Sequence, residues 1–310
     1  MIVITGQTAT GKTKLALELA QKHNGELINF DSRQIYKHLD IITGKDIPKN
    51  SKFKIQNLEL KNKYNIGYYS VTICNHLKPF TTKLWLYDVA SPDQYFSSFD
   101  FVKLVTPIIE DIKKRGKTPI LVGGTYLYLK HLLYGFDENN SPPNFKLREK
   151  LNSKSVSYLQ KILIKLNKKV FDDLNHSDKS NPRRLIRRIE TASSKGTLFI
   201  RTDLIRTDLP KIFIGLRYKD KSKLRQVIIK RVEERLRNGA IDEVKKLLKM
   251  GYKKTDPGLK TIGYQQIIKF LNKELTLEKA VEDWTNKEVQ YAKRQLTFMK
   301  KDKNISWREI

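Results

Sequence analysis

The sequence predicts an α/β protein built on a central parallel sheet. Short apolar strands alternate with amphipathic helices through residues 1–133, a glycine-bounded loop joins the first strand to the first helix, and a late strand follows a long helical stretch. Parallel strands with helices on both faces satisfy such an alternation.

The elements follow in order. Residues 1–5 are an apolar run of strand length, and Lys12 to Lys22 is a helix with Leu15 and Leu19 on its apolar stripe. Glu26 to Phe30 is a second strand, with Asp31 at its C-terminal end. Residues 51–86 alternate apolar and polar and hold Tyr68, Tyr69, Val71, Ile73 and Trp85, which predicts a β excursion. Phe99 to Lys114 is a helix that Pro107 is expected to kink. Thr118 to Val122 is a third buried strand, ending in Gly123-Gly124-Thr125 before a helix over Tyr126–Leu133. Asn139-Asn140-Ser141-Pro142-Pro143 has linker composition. Phe145 to Thr191 is helical and basic, Lys211 to Leu216 is a late strand, and Leu224–Met250 and Leu277–Lys300 are long amphipathic helices. Ligands of parallel sheets sit at the carboxyl ends of strands. Gly6–Thr13, Asp31 and Gly123–Thr125 all fall there.

Bulk properties narrow the function. With 39% hydrophobic residues among 310, the chain can bury a core. No apolar run approaches the ~18 residues of a membrane span. The N-terminus enters a strand directly, without the leading basic stretch and the small-residue cleavage site expected of a secretory leader. Cys74 is the single cysteine, so no internal disulfide is possible, and a reducing, cytoplasmic location is expected. Basic residues number 61 against 33 acidic; 19 and 13 lie in residues 1–140, leaving 42 and 20 for the rest. A field that positive suits a phosphate polymer. A lysine-rich genome would also raise the total, but not its concentration in the second half.

Gly6-x-x-x-x-Gly11-Lys12-Thr13 follows an apolar strand and opens a helix, the context of a phosphate-binding loop. Backbone N–H groups of Gly6, Thr8, Ala9, Thr10 and Gly11 can close around phosphate oxygens, helped by the helix N-terminus. Lys12 supplies a cation, and the Thr13 hydroxyl can reach a phosphate-bound Mg²⁺. A glycine turn before an ordinary helix has the same outline. Asp31-Ser32-Arg33-Gln34-Ile35-Tyr36 places a carboxylate at a strand end, fit for Mg²⁺ ligation or general-base work. Asp and Ser also suit a helix N-cap, and the residues alone do not choose. His23, His38, His76, His131 and His176 show no metal-ligand spacing.

Together with Leu121–Thr125, Asp88-x-x-x-Pro92, Tyr95, Phe101, Asn181-Pro182-Arg183-Arg184-Leu185, Thr261-Ile262-Gly263-Tyr264 and Gln290–Phe298, these motifs resemble the bacterial-type tRNA dimethylallyltransferases over nearly the whole chain. The resemblance implies a P-loop NTPase-like core of residues 1–140 with 206–310, and a helical insertion over 141–205 that grips a tRNA anticodon stem-loop. It implies transfer of a dimethylallyl group from dimethylallyl diphosphate to N6 of the adenosine 3′-adjacent to the anticodon. By position, Asp31 would accept the amine proton and Thr125 would touch substrate at the reacting centre. Lys12, Thr13 and Arg231 would hold the diphosphate with Mg²⁺. Asp31, Ser32, Arg33, Gln34, Thr125, Arg148, Arg183, Arg184, Leu185, Ile186 and Arg187 would contact tRNA. The protein is expected to act as a monomer, without a membrane.

The sequence departs from that pattern in places. Gln7 stands where the family usually has Pro, Ile42-Thr43-Gly44-Lys45 matches loosely, and residues 51–86 exceed the usual connection. Three other functions share part of the pattern. A small-molecule kinase shares the loop but needs an arginine lid over its acceptor. An adenylate isopentenyltransferase shares the chemistry but needs less basic surface. A non-catalytic RNA-binding protein leaves the loop and Asp31 idle. Arg184, Arg187 and Arg188 fall on one helical face, open either to RNA or to pairing with acids such as Glu190, Asp172 and Asp173. The lysines and arginines of the last helix are expected to meet RNA backbone.

Overall fold

The computed structural model describes residues 1–45, 47–48, 51–56, 64, 66–73, 79–136, 142–193 and 209–310. Cys74, His76, the first half of the 139–143 linker and the boundary expected at 205–206 lie outside them. The chain divides into two compact units, Met1–Leu133 with Ile205–Ile310, and Tyr134–Leu204.

The first unit is built on a sheet of β1 (Ile2–Gly6), β2 (Gly25–Asn29), β3 (Lys52–Ile55), β4 (Gly67–Ile73), β5 (Phe80–Trp85), β6 (Thr118–Val122), β7 (Ile212–Arg217) and β8 (Ser306–Glu309). Their spatial order is β3-β4-β5-β2-β6-β1-β7-β8, parallel from β5 to β8, with β3 and β4 added antiparallel at one edge. The described strands of the β excursion, β3, β4 and β5, therefore extend the sheet. Ile2, Ile4, Leu27, Ile120 and Val122 pack against Ala16 and Ala20 of α1 (Lys12–Lys22), whose small side chains let the helix approach the strands. α2 (Ser98–Lys114) begins at a Ser97–Asp100 capping box and runs on through Pro107. A proline inside a helix costs about 3 kcal/mol. Burial of Phe101, Val102, Leu104, Val105, Ile108, Ile109 and Ile112 along α2 outweighs that cost. β6 leads through Gly123–Thr125 into α3 (Tyr126–Tyr134).

The second unit contains α4 (Phe145–Leu151), α5 (Val156–Leu166), α6 (Lys168–Asp172), α7 (His176–Lys179) and α8 (Pro182–Ser193). Asn144, Ser155, Asn167 and Asn175 cap α4 to α7 with side-chain oxygens, so short helices start at defined positions. Leu151, Leu159, Leu163, Leu174, Leu185, Ile186 and Ile189 form its core. Leu185 and Ile186, expected among the tRNA contacts, are 0% and 3% exposed and belong to this core.

The chain then returns to the first unit for β7, α9 (Lys221–Arg237), α10 (Ala240–Lys249), α11 (Tyr264–Leu271) and α12 (Leu277–Met299). The single helix expected over Leu224–Met250 is two. It breaks at Asn238-Gly239, where Gly239 adopts φ 97°, a conformation that glycine tolerates. β8 is too short to show a period, whereas α11 carries Tyr264, Ile267, Ile268 and Leu271 on one face. No helix among the described residues is long and apolar enough to cross a membrane.

Candidate active site

The loop after β1 is shaped by positive φ at Gly6 (135°), Ala9 (62°) and Gly11 (76°). Gly6 is obligatory, since a Cβ there would stand 2.2 Å from the Leu216 carbonyl oxygen. Ala9 is held in the left-handed region, its carbonyl accepting from the Tyr218 hydroxyl at 2.6 Å. Gln7 is 2% exposed; its N–H donates to Leu216 O at 3.1 Å, and its Oε1 accepts from Tyr218 N at 3.0 Å. A proline could not make the first of these bonds, which gives the departure at this position a structural reason.

Lys12 Nζ donates to Gln7 O at 2.6 Å. Burial pushes the Lys12 ammonium down to about 8, the Arg231 guanidinium adds to the shift, and the Asp31 carboxylate opposes it. A cation so destabilised is ready for an anion. Arg231, on α9, donates from Nη1 to Thr8 Oγ1 at 3.0 Å. It also lies against Gly44, where a Cβ would come within 2.4 Å of its Nη2.

Asp31 follows β2. Its N–H donates to Asn29 Oδ1 at 2.9 Å, and its Oδ1 accepts the Arg33 N–H at 2.9 Å. No regular helix follows, so this is an Asx turn, not an N-cap. The second oxygen, Oδ2, lies 3.5 Å from where a Gly124 Cβ would stand. Thr125 Oγ1 accepts the Ser32 N–H at 2.9 Å and donates to Ser32 Oγ at 3.1 Å, tying the loops after β2 and β6 together. Gln34 Nε2 donates to Gly44 O at 2.7 Å, and Arg33 Nη1 donates to Pro257 O at 3.2 Å. Burial and the nearby Asp31 carboxylate raise the Tyr291 hydroxyl, which keeps it protonated.

Thr8, Ala9, Thr10, Gly11, Lys12, Thr13, Asp31, Gln34 and Arg231 line one cleft of about 720 Å³, with Leu17, Ile73, Tyr87, Val122 and Val227 as apolar wall. Gly6 supports it from behind. Among the described residues no three His, Cys, Asp or Glu side chains cluster as a metal site. Thr13 lines the cleft beside Lys12, and its hydroxyl would be the protein ligand of a Mg²⁺ carried chiefly by phosphate oxygens and water.

Lys45, 3% exposed, donates to Tyr36 O at 2.7 Å and pairs with Asp40 and Asp88. The Glu243 carboxylate accepts N–H groups of Asp40, Ile41 and Ile42 at 2.8, 2.7 and 3.2 Å. The loosely matched run around Gly44 is thus firmly held. Tyr218 and Glu243 hold loops around the cleft and were not singled out in the sequence; Gln7 was noted there only as a departure. Gln295 lay inside a quoted motif, but only the fold brings it to Thr8 N at 2.9 Å and Gly124 O at 3.0 Å.

In the second unit the buried Glu190 carboxylate accepts from Arg148 Nε at 2.6 Å, Arg148 Nη2 at 2.8 Å and Arg187 Nη1 at 3.0 Å. Burial acts to raise Glu190, but hydrogen bonds from Arg148 and Arg187 outweigh it and lower the carboxyl below its ordinary value. Arg184 pairs with Asp178. Arg183 and Arg188 are exposed.

Comparison with known proteins finds relatives over nearly the whole chain. The family model described as IPP transferase matches residues 75–302, and the one described as isopentenyl transferase matches residues 1–60. The tRNA dimethylallyltransferase of Acetivibrio thermocellus is 34% identical, over 99% of this chain and 90% of its own length. That of Clostridioides difficile is 33% identical, over 100% and 91%. Among solved structures, the tRNA isopentenylpyrophosphate transferase of Bacillus halodurans aligns with a TM-score of 0.63 and 30% identity, over 99% of this chain and 89% of that one. A eukaryotic dimethylallyltransferase acting on tRNA aligns with a TM-score of 0.67 and 25% identity, over 96% and 69%. A phosphate loop, a carboxylate and an arginine meeting in one cleft, within a chain that matches over nearly its full length, place this protein in the IPP transferase family.

Proposed function

We infer that this chain is a tRNA prenyltransferase that moves a dimethylallyl group from dimethylallyl diphosphate to N6 of the adenosine 3′-adjacent to the anticodon. The observation that carries the reading is Asp31 opening into the same cleft as Lys12 and Arg231. An adenine N6 is a poor nucleophile because its lone pair is delocalised into the ring. As the N6–C bond forms, the allylic C–O bond breaks and its electron pair leaves on diphosphate. The N6 proton passes to Asp31. Lys12, Arg231 and the loop N–H groups stabilise the departing charge, and Mg²⁺ on Thr13 would neutralise part of it. The apolar wall suits the prenyl chain and excludes water from an electron-poor carbon. The adenine must leave its stack, which an anticodon loop permits more cheaply than a duplex.

We further infer that the second unit contacts the anticodon stem-loop, through Arg183 and Arg188 more than through Arg148 and Arg187, whose charge is spent on Glu190. One chain carries every residue in this scheme, which supports a working monomer, and tRNA as acceptor supports a cytoplasmic site of action. The test is to offer labelled dimethylallyl diphosphate with unmodified tRNA, AMP or ATP. Label on tRNA is expected; label on AMP alone would replace the reading with a free-nucleotide transferase.

A further inference from the structure

We propose that Gln295 is a positioning residue, setting the phosphate loop and the Asp31–Thr125 side of the cleft in register from one side chain on α12; the proposal rests on the transferase reading above. Gln295 is 7% exposed. Its Oε1 accepts the Thr8 N–H at 2.9 Å, and its Nε2 donates to Gly124 O at 3.0 Å. A Cβ on Gly124 would lie 2.3 Å from that Nε2 and 3.5 Å from Asp31 Oδ2, so the amide and the catalytic carboxylate flank the same small volume.

The chemistry demands a neutral amide. A carboxylate could accept from Thr8 but not donate to Gly124, and it would set a negative charge beside the diphosphate. An ammonium could donate but not accept. The bond to Thr8 also reaches further. Thr8 Oγ1 accepts from Arg231 at 3.0 Å, so the residue that Gln295 fixes orients in turn a cation for the leaving group. The same face of α12 is joined to the loop, where Gln7 Nε2 donates to Ala292 O at 3.4 Å, and to β1, where Thr5 Oγ1 lies 3.1 Å from Met299 Sδ. Its other side exposes Lys293, Arg294 and Lys300, with no acidic residue between Val289 and Lys301. The helix therefore presents a cationic face suited to RNA phosphate and an inner face bonded to the donor loop. Gln295 is the inner contact that touches both sides of the reacting centre.

The experiment compares Gln295→Leu and Gln295→Glu with wild type in the full chain, using labelled dimethylallyl diphosphate, unmodified tRNA transcript and a melting curve for each protein. Misplacement of reacting groups by about 1 Å can cost ~10²-fold in rate. Gln295→Leu should lower kcat by about 10–100-fold and raise the donor KM, with the tRNA KM within about threefold. Gln295→Glu should lose as much at pH 8 and recover relative to wild type as pH falls towards 6, because burial and the nearby Asp31 carboxylate raise a carboxyl at this position and its protonated form regains a donor for Gly124 O. A protein merely loosened by the change would show no such recovery. Kinetics of Gln295→Leu within twofold of wild type, a loss confined to the tRNA KM, or a pH-independent ratio for Gln295→Glu would each overturn the assignment. If Gln295→Leu fails to fold, the pH ratio of Gln295→Glu decides alone. A wild-type protein that transfers nothing to tRNA would instead overturn the transferase reading and this proposal with it.

Discussion

Replacing Asp31 with asparagine separates basicity from shape. Asparagine keeps an oxygen for the Arg33 N–H, now 2.9 Å away, and leaves the bond from residue 31 N–H to Asn29 untouched. The turn should persist, and the change falls on the charge and on the capacity to take a proton. A positioned general base contributes ~10²–10⁴-fold. At about 1.4 kcal/mol per decade, that is about 3–5 kcal/mol of barrier. A second effect follows from the electrostatics. The Asp31 carboxylate raises Lys12 against burial and Arg231. Without it the ammonium should fall below its present value of about 8, and donor affinity should begin to fail at a lower pH. Single-turnover transfer at saturating donor, with tRNA affinity by filter binding, measures both. Turnover should drop within the stated range while tRNA affinity stays within a few-fold. Near-wild-type turnover would refute the base assignment.

Further outcomes follow from the same contacts. Since the free Lys12 has a pKa of about 8 against 10.5 for the ordinary side chain, diphosphate binding should draw in protons near and above pH 8, and affinity should fall as pH rises through that value. Calorimetry in two buffers of different ionisation enthalpy reads the uptake, which Lys12→Ala should abolish while sparing tRNA binding. Gly44→Ala places a methyl where Arg231 Nη2 would be 2.4 Å away, so the donor KM should rise several-fold at a stability cost of about 1 kcal/mol for the left-handed φ of 62°. An unchanged donor KM would detach Arg231 from the diphosphate. Arg187→Ala removes a partner from the buried Glu190 and should lower the melting temperature. Arg183→Ala with Arg188→Ala should leave melting unchanged and flatten the salt dependence of tRNA affinity by roughly one log–log unit per lost phosphate contact. A flat response in the second variant would exclude both side chains from RNA contact.

The site was legible where chemistry is local. Gly6, Gly11, Lys12 and Thr13 lie within eight residues, and the strand, loop and helix expected around them are the ones observed. Asp31 was legible as a strand-end carboxylate, but the choice between N-cap and cleft group waited on the turn, which leaves Oδ2 beside Gly124. The arginines of α8 could be placed on a helical face from their spacing. Whether that charge was free depended on Asp178 and on Glu190, which also takes Arg148 from 42 residues away. The continuous helix over Leu224–Met250 failed at Asn238-Gly239 because amphipathic spacing continues across the break while the backbone does not.

By itself the sequence determined the α/β class, the strand–loop–helix around Gly6–Thr13, the strand-end position of Asp31 and the strongly basic second half, because each depends on neighbours within a few turns of chain. Only the tertiary structure decided that Gln295 reaches Thr8 across 287 residues, that Arg231 reaches the same threonine across 223, and that Leu185 and Ile186 are core. Periodicity specifies which face of an element is apolar. Which distant partner that face meets is fixed by packing the whole sheet and its helices at once, and the polar contacts that finish the cleft follow from that packing.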